Sequence, residues 1–151
     1  MKIQLPQPYG LSLELIRSKG YSNAEILSWI ERADPVELES KVDATTNWNS
    51  FTEFAKEHFS LLQDAIEKGY RFSFLTIGGI KRLLSIRFRQ VEGCDYTICD
   101  GVISRLALTS NDYISLRQTV PLHWDIIPED RGEGQVEVRI KLAAAPDVAK
   151  T

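Results

Sequence analysis

Apolar residues recur at intervals of three and four up to Gly69 and at intervals of two near the other end, so the chain is expected to fold as a helical part followed by a β part. The helix starts are marked by short polar residues with an acid three positions on. Ser22 precedes Glu25, Asp34 precedes Pro35 and Glu37, and Ser50 precedes Glu53. In each case the polar side chain can accept from a free backbone N–H while the acid reaches back to the cap. The spacing predicts a helix over 11–19, stopped by Gly20, and a second from Ser22 with Ile26, Leu27, Trp29, Ile30 and Ala33 on one arc. A short third helix starts at Asp34-Pro35, with Leu38 and Val42 inward. A long fourth helix spans 51–68. Phe51, Phe54, Ala55, Phe59, Leu62, Ala65 and Ile66 share its apolar face, and Glu53, Glu57, Asp64 and Glu67 the opposite one.

Beyond Gly69 the expected elements are mostly strands. Tyr70, Phe72 and Phe74 alternate with Arg71 and Ser73, and Ile86 and Phe88 alternate with Arg87 and Arg89. Between these segments, Thr76 can cap a brief helix over 77–84. Glu92-Gly93 and Asp100-Gly101 are turn dipeptides, with Tyr96 and Ile98 on one strand face between them and Leu106 and Leu108 after them. A turn at 110–112 and a strand through Ile114 and Leu116 follow. Pro121 belongs at an edge or a bulge, and Leu122, Trp124 and Ile126 resume the alternation. A polar loop over 128–134 leads to a last strand, where Val136, Val138, Ile140 and Leu142 alternate with Glu137, Arg139 and Lys141. The expected fold class is α+β, with about four N-terminal helices packed against a mainly antiparallel sheet of about five strands. It is expected as one domain over 1–142, helical over 8–69 and β over 70–142, with a frayed tail over 143–151.

Composition narrows the class without naming a function. The chain has 151 residues, 43% hydrophobic and 26% charged, enough to enclose a core. No apolar run reaches the length that spans a bilayer, and the first residues lack the apolar stretch of a secretory signal. Two cysteines, Cys94 and Cys99, are too few for a disulfide framework, and a reducing, cytoplasmic setting is expected. The net charge of −3 argues against unspecific attraction of the whole molecule to nucleic acid or anionic lipid.

The distribution of that charge is uneven. From Lys68 to Arg89 there are six basic residues and no acid: Lys68, Arg71, Lys81, Arg82, Arg87 and Arg89. On a strand Arg87 and Arg89 would point to one side. Lys81 and Arg82 follow Gly78-Gly79, where a helix N-terminus can hold a phosphate or carboxylate, although the segment lacks the spacing of a P-loop. The competing reading is internal pairing with acids, or a solvated face, and charge runs more often have that origin.

Residues 15–31 resemble a helix-turn-helix, with Gly20 in the turn and Leu15, Tyr21, Ile26 and Trp29 at the packing offsets. Ile16 stands where the motif has a small residue. The second helix presents Glu25 and Glu31 with only Arg32 as a cation, a face that DNA phosphates repel, so two helices joined by a glycine turn is the favoured reading.

Candidate chemistry is sparse. His58 falls on the apolar face of the long helix, as a core histidine does, and His123 alternates against Trp124 with no carboxylate placed to pair with it. Cys94 and Cys99 lack metal-ligand spacing, and burial is the usual state of such thiols. Tyr70, Phe72 and Phe74 share a strand side that suits a core better than a base-stacking platform. Trp48 in a polar loop suggests a contact surface or a lid on the core. The expectation is therefore a non-catalytic binding or regulatory module acting through protein contacts, with no cofactor or metal. Its contact residues would be Arg71, Lys81, Arg82, Arg87 and Arg89, with Trp48 as an interface candidate. The alternatives are a nucleic-acid-binding protein using the 68–89 segment, and a small enzyme or ligand-binding protein for an anionic molecule.

Overall fold

A computed structural model describes residues 3–143, which fall into two compact units, one ending at Ser73 and the other starting at Phe74. The fold class is α+β, as expected, with mainly antiparallel strand pairing. Apart from Ala143, the tail expected over 143–151 lies outside the described residues.

The first unit holds strand β1 (Ile3–Leu5), five helices and strand β2 (Tyr70–Phe72). The helices are α1 (Gln7–Ser18), α2 (Asn23–Arg32), α3 (Pro35–Lys41), α4 (Trp48–Glu57) and α5 (Phe59–Lys68). Helix α1 starts four residues earlier than expected. Pro8 lies in its first turn, where a proline's missing N–H costs nothing, and Pro6 is the N-cap. The capping box at Ser22 forms in full: the Glu25 N–H donates to Ser22 Oγ at 3.2 Å, and the Ser22 N–H donates to Glu25 Oε1 at 2.8 Å. Asp34 caps α3 through the Val36 N–H at 3.0 Å.

The expected long helix is two. Its start is Asn47, not Ser50, because Asn47 Oδ1 accepts from the Ser50 N–H at 3.1 Å. It breaks at His58, whose φ of −131° and ψ of 43° leave the helical region. The helices pack among themselves, α1, α2 and α3 against α4, and α2 also against α5. Leu13, Ile16, Ile26, Leu38, Phe51 and Leu62 are core residues. Strand β1 was not expected. It pairs with β2 in parallel, Leu5 opposite Phe72, and the Ser73 N–H extends the ladder to the Leu5 carbonyl at 2.8 Å. Phe74 is outside β2 and exposed, so the third residue of the expected aromatic row is not in the strand.

The second unit contains helix α6 (Ile77–Phe88), strands β3 (Thr97–Cys99) and β4 (Val102–Thr109), helix α7 (Ser110–Thr119), and strands β5 (Trp124–Gly132) and β6 (Gln135–Leu142). The sheet order is β3-β4-β6-β5, all antiparallel. Thr76 caps α6 as expected, accepting from the Gly79 N–H at 3.0 Å, but the helix runs on to Phe88. The 86–89 segment is thus not a strand. Ile80, Leu83, Leu84 and Phe88 are buried at helical spacing, and that burial outweighs the short alternation of Ile86 and Phe88. The expected strand through Ile114 and Leu116 is helix α7. Thr109 caps it through the Asp112 N–H at 3.0 Å, and Leu116 and Thr119 bury one side, while Ile114 is exposed.

The turn dipeptide Asp100-Gly101 joins β3 to β4 with φ values of 54° and 75°, the left-handed pair that a tight hairpin turn demands. The expected loop over 128–134 is mostly strand. β5 carries Pro128 through the sheet edge, where no ladder N–H is required, and only Glu133-Gly134 turns. Val136, Val138 and Ile140 are buried on one face of β6, as their alternation predicts.

Candidate functional site

Helix α6 carries four of the six clustered cations or sets their position. Gly78, Lys81, Arg82 and Ser85 recur at helical spacing on its outer side. Opposite them the chain turns through 90–96, and the two together enclose an open recess of about 490 Å³ lined also by Gln90, Val91, Glu92 and Tyr96.

The far wall is firmly built. The Val91 N–H donates to Asp95 Oδ2 at 2.7 Å, the Asp95 N–H to the Val91 carbonyl at 2.8 Å, and the Gly93 N–H to the Tyr96 carbonyl at 2.7 Å. Lys81 Nζ reaches across to Glu92 Oε1 at 2.8 Å and ties α6 to this wall. Arg82 is exposed and has no ion pair or hydrogen bond among the described residues.

Tyr96 is almost wholly covered, with 2% of its surface exposed. Burial pushes its phenol above the ordinary value, and the neighbouring charges of Glu92 and Asp95 push it the same way. The group therefore stays protonated at neutral pH and can donate a hydrogen bond.

Arg87 and Arg89 do not line this recess. Arg87 donates through Nη1 to Ser115 Oγ at 3.0 Å and Thr119 Oγ1 at 2.7 Å, clasping α7. Arg89 is the C-cap of α6, left-handed at φ 58°, exposed and without an ion pair among the described residues. Arg87 and Arg89 therefore do not share a strand face. Arg71 lies in β2 of the first unit, and Lys68 pairs with Asp64 at 3.7 Å on α5.

The other candidates lie outside the recess lining. Trp48 is in the first turn of α4, not in a loop. Its side chain is buried, and Nε1–H donates to the Asp43 carbonyl at 2.6 Å, so it is a core residue of the first unit and not a contact surface. His58 is exposed because the helix breaks there, contrary to its expected place in the core. His123 Nε2 lies 3.2 Å from the Leu75 carbonyl, and its ring stacks on Phe74 at 5.0 Å. Cys94 and Cys99 are both exposed, where burial was expected. Among the described residues no group of His, Cys, Asp and Glu could hold a metal ion, and no helix is long and apolar enough to cross a membrane.

Sequence reasoning missed Glu14 and Tyr96. Glu14 is a buried carboxylate on α1 that accepts from the Tyr70 hydroxyl, with the Gly10 carbonyl 3.2 Å from the same oxygen. Its position among Leu11, Leu13, Leu15 and Ile16, which lie almost all round that helix, was the available signal. Tyr96 stood only as one of two residues on a strand face, and nothing in its spacing marks the recess. Family models, curated proteins and solved structures all return no match to this chain.

Proposed function

We propose that this protein is a small cytoplasmic binding or regulatory module that works by contact with another protein, using the outer side of α6 and the 90–96 segment. The observation that carries this reading is the pairing state of the cations. Lys81 and Arg87 are engaged internally, whereas Arg82 and Arg89 are exposed with no ion pair among the described residues. The two lie seven residues apart, about 10 Å along the helix axis. Beside them Val91 is 51% exposed. A cation next to an uncovered apolar side chain is the mixture that protein interfaces use, with charge to orient and apolar area to hold.

A protein partner fits this surface better than nucleic acid does. Arg82 and Arg89 are two cations without an ion pair among the described residues, too few to follow a run of phosphates, whereas a single acidic contact needs only one of them. The test is quantitative affinity capture with the wild-type chain and with Arg82→Glu/Arg89→Glu, followed by mass spectrometry. The expected result is a defined protein retained by the wild type and lost with the variant, whose far-UV circular dichroism is unchanged. Equal capture by both forms would overturn the reading. So would tight binding of single-stranded DNA, duplex DNA or RNA that weakens steeply with salt and is lost in the variant.

A further inference from the structure

Resting on that partner-binding reading, we infer that the recess between α6 and the 90–96 segment is the seat for one acidic side chain of the partner, its carboxylate held by the Arg82 guanidinium and the Tyr96 hydroxyl. Tyr96 is 98% covered, yet its hydroxyl has no hydrogen-bond partner among the described residues. No wholly buried side-chain nitrogen or oxygen among those residues lacks a partner. The hydroxyl therefore keeps contact with solvent, and Tyr96 lines the recess. A covered ring whose hydroxyl meets solvent holds a donor that water can satisfy and that an incoming acceptor can take over. It suits a group that takes its partner from outside.

The charge balance selects the ligand. Lys81 is taken by Glu92, so among the lining residues Arg82 is the cation without an ion pair, and Asp95, which does not line the recess, keeps its charge on the far wall. A singly charged carboxylate matches one guanidinium, which can hold it with two parallel N–H···O bonds. A doubly charged phosphate would find no second free cation among the lining residues. The protonated phenol, kept so by burial and by the two nearby acids, adds a donor and no competing charge.

The form of the recess points to a side chain of a protein. Small molecules favour pockets that cover most of their surface. This recess is open, with Val91 half exposed on its rim, so an acidic residue with an apolar neighbour can place its carboxylate inside and its apolar group on Val91.

The test uses the full chain labelled with ¹⁵N and three probes: N-acetyl-aspartyl-leucinamide, its asparaginyl analogue, and acetate. Titration with the aspartyl probe is expected to shift the amide signals of residues 78–82 and 90–96. The asparaginyl probe should leave them in place, and acetate should bind at least tenfold more weakly than the aspartyl probe. Tyr96→Phe, which keeps the ring, should weaken the aspartyl probe about fivefold or more, and Arg82→Gln should abolish the shifts, both with otherwise unchanged spectra. The inference is overturned if the aspartyl probe causes no shifts there, or if the asparaginyl probe acts equally. Acetate binding as tightly as the aspartyl probe would also overturn it, by assigning the recess to a free carboxylate. Loss of capture by Arg82→Glu/Arg89→Glu together with no response to the aspartyl probe would leave the partner-binding reading standing and remove only this seat.

Discussion

Replacing Gly10 by alanine sets helix propensity against packing. Gly10 is the fourth residue of α1, and by propensity alone an alanine there would stabilise the helix by about 0.8–1 kcal/mol. The packing reverses the sign. A Cβ at Gly10 would stand 2.9 Å from Cδ1 and Cζ of Phe72, and closer still to Cε1. Non-bonded carbons rest at about 3.5–4.0 Å, so the ring or the helix has to move by more than about 0.5 Å. The ring has little freedom to do so: Phe72 is wholly buried, its backbone is in register with Leu5, and its ring meets Tyr70 edge-on at 5.6 Å. Overpacking costs about 1–3 kcal/mol, and an approach below 3.0 Å to several atoms of a locked ring belongs to the upper part of that range, about 2–3 kcal/mol. Net of the propensity gain, Gly10→Ala should lose about 1–2 kcal/mol, and with an m-value of about 2 kcal/mol/M the urea midpoint should fall by about 0.5–1 M. Urea unfolding followed by circular dichroism measures it. Gly78→Ala is the control, because the nearest atom to its Cβ would be Thr76 Oγ1 at an ordinary 3.7 Å, and its midpoint should hold or rise. Shrinking the obstacle with Phe72→Leu should make the second change cheaper, so the Gly10→Ala/Phe72→Leu pair should be less destabilised than the sum of the single changes. A Gly10→Ala protein as stable as the wild type would refute the close approach of α1 to β2.

Three further outcomes are expected. Tyr70→Phe takes a donor from the buried Glu14 carboxylate and should cost about 1–3 kcal/mol, read from the same urea curves; an unchanged midpoint would mean that the hydroxyl contributes nothing there. The Asp43 carboxyl is held below its ordinary value, first by the Thr46 hydroxyl and then by Thr45, so it binds protons less readily folded than unfolded. Its contribution should be complete above the unfolded pKa and disappear as pH falls through the lower folded one; urea midpoints of the wild type and Asp43→Asn should therefore differ at pH 7 and converge towards pH 2, and a difference independent of pH would contradict this. Arg87→Ala removes both bonds to α7 and should destabilise by about 1 kcal/mol or more, whereas Arg82→Ala should stay within about 0.5 kcal/mol, and equal losses on thermal melting would dissolve the distinction between clasp and contact residue.

Much of the fold was legible where a local signal had one physical solution. Ser22 with Glu25, Asp34 with Pro35, and Thr76 ahead of Gly79 became caps because the side-chain oxygen and the free N–H groups belong to the same turn. Asp100-Gly101 became a hairpin turn because both residues tolerate left-handed backbone. Val136, Val138 and Ile140 became one face of a strand because period two admits no other arrangement. The α+β class follows from such signals.

The errors arose where two periods fit the same few residues. Ile86 and Phe88, or Ile114 and Leu116, alternate over too short a run to exclude a helix, and burial of Leu83, Leu84 and Phe88, or of Leu116 and Thr119, made the choice. Ser50 satisfied the spacing of a cap, but Asn47 took the position and carried Trp48 into the core. For the candidate site, the sequence by itself determined that positive charge clusters from Lys68 to Arg89. Only the tertiary structure decided which charges are engaged. Glu92 reached Lys81 across a turn, Ser115 and Thr119 reached Arg87 from another helix, and Tyr96 came to line the recess beside Arg82. Charge is a property of residue type and is written in the chain, whereas pairing and burial depend on contacts that folding alone brings within bonding distance.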